Sequence, residues 1–200
     1  MEEKQISGQE GLAIIQQMIN TAKKEQKDNG MGWIIWGWLL FLASVLTWVN
    51  IKLQWQKTWF FWNLFGALTL VVLLYQVIRY SFFRRKDKVR TYMKDLFEKL
   101  NVGFFIQLFF VILAMNLGVS PLKGFAILIG TYGFWILIYG ALLDFKPSII
   151  GAFVTWAFGI GALFAESFEQ TMILHGAAVL FGYIIPGHIA YKEFKKLSTR

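Results

Sequence analysis

Six stretches of this chain hold no Lys, Arg, Asp or Glu: residues 29–51, 58–78, 100–122, 124–143, 147–165 and 170–191. Each is at least nineteen residues long, and a helix needs about 20 residues to cross roughly 30 Å of hydrocarbon. A segment in lipid must satisfy its backbone polar groups internally, which a helix does alone. The pattern therefore predicts an all-α, polytopic membrane fold. Its six transmembrane helices cover about 31–49, 58–79, 101–119, 123–143, 147–165 and 170–190.

Two segments outside these runs show helical amphipathicity instead. "SGQE" at 7–10 has the form of a capping box, in which Ser and Glu side chains satisfy each other's free backbone donors at a helix start. Leu12, Ile15, Met18, Ile19 and Ala22 then make one face, and Gln16, Gln17, Asn20, Lys23 and Lys24 the other. "KDNG" at 27–30 supplies the stop, so residues 1–28 read as a separate amphipathic helix. In the loop 80–100, Val89, Met93, Leu96 and Leu100 recur at helical spacing one heptad after Phe82, which predicts a second amphipathic helix between spans 2 and 3.

Composition agrees with a bilayer as solvent. With 56% hydrophobic, 18% aromatic and only 16% charged residues, 200 residues cannot hide their apolar surface in one water-soluble core. The first apolar run is long enough to span, so it reads as a membrane helix rather than the short core of a signal peptide. The absence of cysteine excludes disulfides, thiolate metal sites and thiol chemistry.

Charge sets the orientation. If the amino terminus is cytoplasmic, the outer loops keep only Lys52, Lys57 and Lys123 of the 20 Lys and Arg, and the other seventeen lie inside. That bias predicts both termini, including the basic tail 192–200, on the cytoplasmic side. Arg84, Arg85, Lys86, Lys88 and Arg90 are the expected contacts to anionic lipid headgroups, each attracted by about 1 kcal/mol. No nucleic-acid motif accompanies them.

Within the spans, small residues mark packing. Gly151, Thr155 and Gly159 in helix 5 repeat every four residues, Ala126, Gly133 and Gly140 in helix 4 every seven, and helix 6 adds Ala178 and Gly182. These ridges let helices approach closely and predict a tight bundle of helices 4 to 6. Seven of the nine Trp fall near the ends of helices 1 and 2 as an interfacial belt. Trp135 and Trp156 instead lie about 12–14 Å inside helices 4 and 5, a depth at which the two rings are expected to meet. Pro186 in "YIIPGH" should bend helix 6 near its inner end.

Candidate chemistry is sparse. Asn63, Asn116, Thr131, Tyr132 and His175 lie at similar depths near the outer ends of their helices, with Glu166 and Glu169 in the loop above, so five segments supply one polar layer. Ionisable groups inside spans suggest function, and His titrates near neutrality. The sequence has no GxSxG, HExxH, phosphate-binding loop, EF-hand or buried carboxylate pair, so no catalytic, metal or cofactor site is expected. His175, Glu166 and Glu169 lack regular ligand spacing.

"ISGQEGLAIIQQMI", then "WIIWGWLLF" at 33–41 and "GYIIPGHIAYKEFKK" at 182–196, resemble a group of small, uncharacterised six-helix bacterial inner-membrane proteins with an amphipathic amino-terminal helix. The resemblance implies a bacterial cytoplasmic membrane and carries over no functional residue. Two readings stay open. One is a non-enzymatic protein that anchors, senses or regulates through its cytoplasmic helices, which bind lipid, a protein partner or a second copy. The other is a small-solute or ion transporter with a polar site near the outer face, built from two three-helix halves.

Overall fold

The computed structural model describes residues 9–13, 16, 30–83 and 92–198, which contain helices and no strand. In order these are α1 Met31–Leu53, α2 Phe60–Phe83, α3 Tyr92–Asn116, α4 Pro121–Leu142, α5 Lys146–Leu163 and α6 Phe168–Val179. A π-helical segment, Leu180–Ile184, then joins α6 to α7 Ile185–Ser198. Residues 9–13 and 16 are helical, and the remainder of the predicted amino-terminal helix lies outside the described residues. So do Arg84, Arg85, Lys86, Lys88 and Arg90.

Five helical runs among the described residues are long and apolar enough to cross a membrane: α1, α3 from Asp95 onward, α4, α5 and the continuous run Phe168–Lys196. In α2 the apolar part, Phe60–Tyr75, is shorter. The amphipathic helix expected between α2 and α3 is not a separate element where it is described. Helix α3 starts at Tyr92 and runs through Leu100 into the apolar stretch without a break.

Local chemistry sets the boundaries. Pro121 and Pro147 sit in the first turns of α4 and α5, where a missing N–H breaks no helical bond. Helix α1 ends at Gln54, whose φ of 52° is left-handed and whose amide donates to the Asn50 carbonyl at 2.7 Å. Asn50 also shapes the following turn. Its side-chain carbonyl accepts the Gln56 N–H at 2.8 Å, and its amide donates to the Gln56 and Lys57 carbonyls at 3.0 and 3.3 Å.

The bend expected at Pro186 takes the form of the π-helical segment just before it. Proline has no N–H for the carbonyl four residues back, and its ring crowds that carbonyl. Widening the turn by one residue, with the Ile185 amide donating to the Leu180 carbonyl, absorbs both defects.

Helices α4, α5 and α6 form the packed centre, α1 lies along α6 and the π-helical segment, and α2 and α3 are peripheral. All eight predicted packing residues, Ala126, Gly133, Gly140, Gly151, Thr155, Gly159, Ala178 and Gly182, are buried. Each of the five glycines among them meets a neighbour that a larger residue would crowd. Gly133 lies under the Trp156 ring, Gly140 against Ile149 and Ser148, Gly159 against Ile129, and Gly151 against the Phe181 carbonyl and Pro186.

Trp135 and Trp156 do not stack on each other: Trp135 stacks on Phe104 at 5.0 Å, and Trp156 donates to the Gly130 carbonyl at 2.9 Å. The groove that receives Trp156 is made by Gly130 and Gly133, and Trp135, two residues on from Gly133, points to another side of the helix. Nor do the first three helices form a bundle of their own, since α3 packs on α4 and not on α1 or α2.

The approach of Gly182 to α5 supplies a test. A Cβ at Gly182 would stand 2.2 Å from Thr155 Oγ1 and 2.8 Å from Ile136, whereas one at Gly161 would meet Leu174 no closer than 3.9 Å. Gly182→Ala should therefore cost about 1–3 kcal/mol by overpacking and lower the thermal unfolding midpoint in detergent, with Gly161→Ala unchanged. Equal midpoints for the two variants would contradict this packing.

Candidate functional site

Helix α1 buries Gly37, Leu40, Ala43, Ser44, Thr47 and Asn50, a stripe at three- and four-residue spacing in which half the positions are polar. Helix α6 buries Thr171, Met172, His175, Gly176, Ala178 and Val179 opposite it. The two stripes make a polar seam inside the bundle. Ser44, Thr47, Thr171 and His175 are all 0% exposed.

Most of the seam satisfies itself. Ser44, Thr47 and Thr171 donate their hydroxyls to carbonyls one turn back, those of Leu40 at 2.8 Å, Ala43 at 2.7 Å and Ser167 at 3.1 Å. His175 Nδ1 lies 2.7 Å from Ser44 Oγ. Because the single Ser44 hydrogen already goes to Leu40, the hydrogen-bond network assigns the proton of this contact to Nδ1, which donates to Ser44. The opposite nitrogen, Nε2, is buried without a partner.

Aromatic rings surround that imidazole. Trp62 of α2, Phe125 and Tyr132 of α4 lie edge-on to it, with centroids at 5.2, 5.6 and 5.6 Å. The Trp62 indole donates to Met172 Sδ at 3.2 Å, which draws the peripheral helix α2 onto α6. From Tyr132 the ring contacts continue through Tyr183 and Trp33 to Tyr139. Trp62 and Trp33 thus belong to the interior as much as to an interfacial belt.

The predicted polar layer comes together only in part. His175 and Tyr132 touch. Glu169 turns to α1, accepting from the Trp48 indole at 3.1 Å and pairing with Lys52 at 2.8 Å. Asn63 and Glu166 are exposed, and Asn116 and Thr131 donate to carbonyls of their own helices, those of Ile112 and Ile127. Depth along a helix does not set direction around it, and these four residues face outward.

Sequence reasoning missed Ser44, Thr47 and Asn50. Their spacing, continued from Gly37 and Ala43, is the same small-residue signal that marked helices 4 to 6. Among the described residues no three of His, Asp and Glu come together as a metal site.

At the end of the bundle that carries the α1–α2 turn, a recess of about 510 Å³ is lined by Asn50, Gln54, Gln56, Lys57, Thr58, Ser167, Phe168 and Glu169. None of the residues touching His175 lines it. Phe168 packs edge-on to Phe125 at 5.4 Å and tilted against Trp59 at 4.9 Å, so aromatic rings separate the recess from the histidine.

No family model, curated protein or solved structure matches this chain.

The seam predicts a strong pairwise coupling. Ser44→Ala leaves the Nδ1 donor of His175 buried and unpaired, a loss of about 1–3 kcal/mol. His175→Phe added to it removes the orphan. In a double-mutant cycle read by thermal unfolding, the pair should therefore lose less than the sum of the single variants. Additive losses would contradict the assigned hydrogen bond.

Proposed function

We propose that the chain is a six-span protein of a bacterial cytoplasmic membrane with both termini inside. In this reading it is non-enzymatic, and it anchors, senses or regulates through its cytoplasmic amphipathic segments. The sixth span is α2, whose 24 residues reach about 36 Å, more than a bilayer core requires. An even number of spans fits the strong inward bias of Lys and Arg. The turn recess and the Lys52–Glu169 pair then face outward, and α7, with Lys192, Lys195 and Lys196 exposed, extends from the bundle on the inner side.

One observation carries the choice between anchoring and transport: the polar seam is closed. Solute transport needs water to reach a site inside the bundle, but Ser44, Thr47, Thr171 and His175 are wholly buried and the recess stops above them. The packing of α3 on α4 also gives no support to two inverted three-helix halves. A closed bundle is instead a rigid platform. It holds residues 1–28 and the basic segment 80–100 against anionic lipid headgroups, a protein partner or a second copy.

The cysteine-free sequence makes the test simple. Single cysteines at His175, at exposed Lys57 and at buried Val179 are treated in intact cells with a membrane-impermeant thiol reagent. Position 57 should label, and position 175 should be as protected as position 179. Labelling at 175 approaching that at 57 would establish water inside the bundle and turn the reading to transport.

A further inference from the structure

One polar atom in this line of rings is fully buried without a partner, and two phenols follow it. His175 Nε2 is fully buried and unbonded. Tyr132 and Tyr183, 5% and 7% exposed, follow it in contact, with centroids 5.6 Å from His175 to Tyr132 and 5.9 Å from Tyr132 to Tyr183. Neither phenol hydrogen-bonds to another described residue. Buried polar groups in native proteins almost always have partners. A buried imidazole nitrogen without a partner on α6, with two unbonded phenols in line beside it on α4 and the π-helical segment, marks a place where a ligand supplies what the protein does not.

We propose that His175, Tyr132 and Tyr183 form a binding site for a bilayer-dissolved ligand with a flat, hydroxylated ring and an apolar tail, a quinol or related phenol. The donor pattern sets this chemistry. Since Nδ1–H is committed to Ser44, Nε2 is an acceptor and requires an O–H or N–H from the ligand. The two phenols can each donate to a ligand oxygen. Trp62, Phe125 and Phe104 supply the aromatic walls, and edge or face contacts between rings favour a planar head group over a bare chain.

The way in is lateral. Among the described residues α2 packs its backbone only on α1, and α3 only on α4, so no helix contact closes the space between α2 and α3. Half-buried Phe65 of α2 and Phe104 of α3 pack on the buried core. A ligand arriving from lipid therefore needs only side chains to move, whereas one arriving from water meets the Phe168, Phe125 and Trp62 rings. The proposal goes beyond the anchoring reading and does not depend on what the cytoplasmic segments bind.

The test uses the full chain in detergent, under argon, with decylhydroquinone, its dimethyl ether and dodecanol, each titrated while the unfolding midpoint is read. Decylhydroquinone should raise the midpoint saturably by about a few degrees, as a ligand of the native state does, and the ether and dodecanol should not. Tyr132→Phe and Tyr183→Phe preserve the rings and should fold. Each should weaken half-saturation about tenfold, the loss expected for one hydrogen bond, and His175→Phe should abolish the shift. Equal shifts from the ether would mean partition into the micelle. Equal shifts from dodecanol would mean a site for any alcohol. Either result, no shift with any probe, or unchanged saturation in both tyrosine variants would overturn the proposal.

Discussion

A polar side chain that turns away from both faces of a membrane has to find its partners inside the protein, because lipid offers none. The Ser44–His175 hydrogen bond is where this chain meets that requirement between two helices, and much of the architecture follows from it. It fixes α1 against α6 at 2.7 Å between polar atoms. It also places the imidazole where Trp62 and Tyr132 can close around it. The hydroxyls above and below spend their hydrogens on carbonyls of their own helices, so the seam brings in few unsatisfied groups.

Such a seam forms only if the helices come close, and small residues make that possible. Gly182 under Thr155, Gly37 against Tyr183 and Ile184, and Gly133 under Trp156 each leave room for a neighbour's side chain. Van der Waals contact and interhelical hydrogen bonds have to do in lipid what the hydrophobic effect does in water. Ser148 donating to the Ile136 carbonyl and Trp156 donating to Gly130 are examples between α4 and α5. The π-helical segment lies where α1, α5 and α6 meet, and the extra residue in its turn lets Pro186 stay in a continuous helix.

How much of this was legible varied with the kind of signal. Span positions came from the lengths of charge-free runs, a direct consequence of bilayer thickness, and all but one of the expected runs reappear as helices long and apolar enough to cross. The packing glycines were legible because a missing side chain has one physical use inside a bundle. Direction around a helix was not. Apolar residues cover every side of a membrane helix, so depth put Asn63, Asn116 and Thr131 in one layer with His175 although only Tyr132 faces it. The same gap in information paired Trp135 with Trp156. Ser44 and Thr47 were overlooked because hydroxyls that bond their own helix look inert until a histidine is found across from them.

The packing thus turns on one imidazole, whose nitrogens can be observed. The chain has two histidines, and His188 is exposed, so nitrogen-15 labelling of histidine in lipid nanodiscs gives two ring systems that His188→Asn assigns. His175 should carry its proton on Nδ1, with Nε2 bare, and Ser44→Ala should shift the Nδ1 resonance. A proton on Nε2, or an Nδ1 resonance indifferent to Ser44→Ala, would contradict that hydrogen bond.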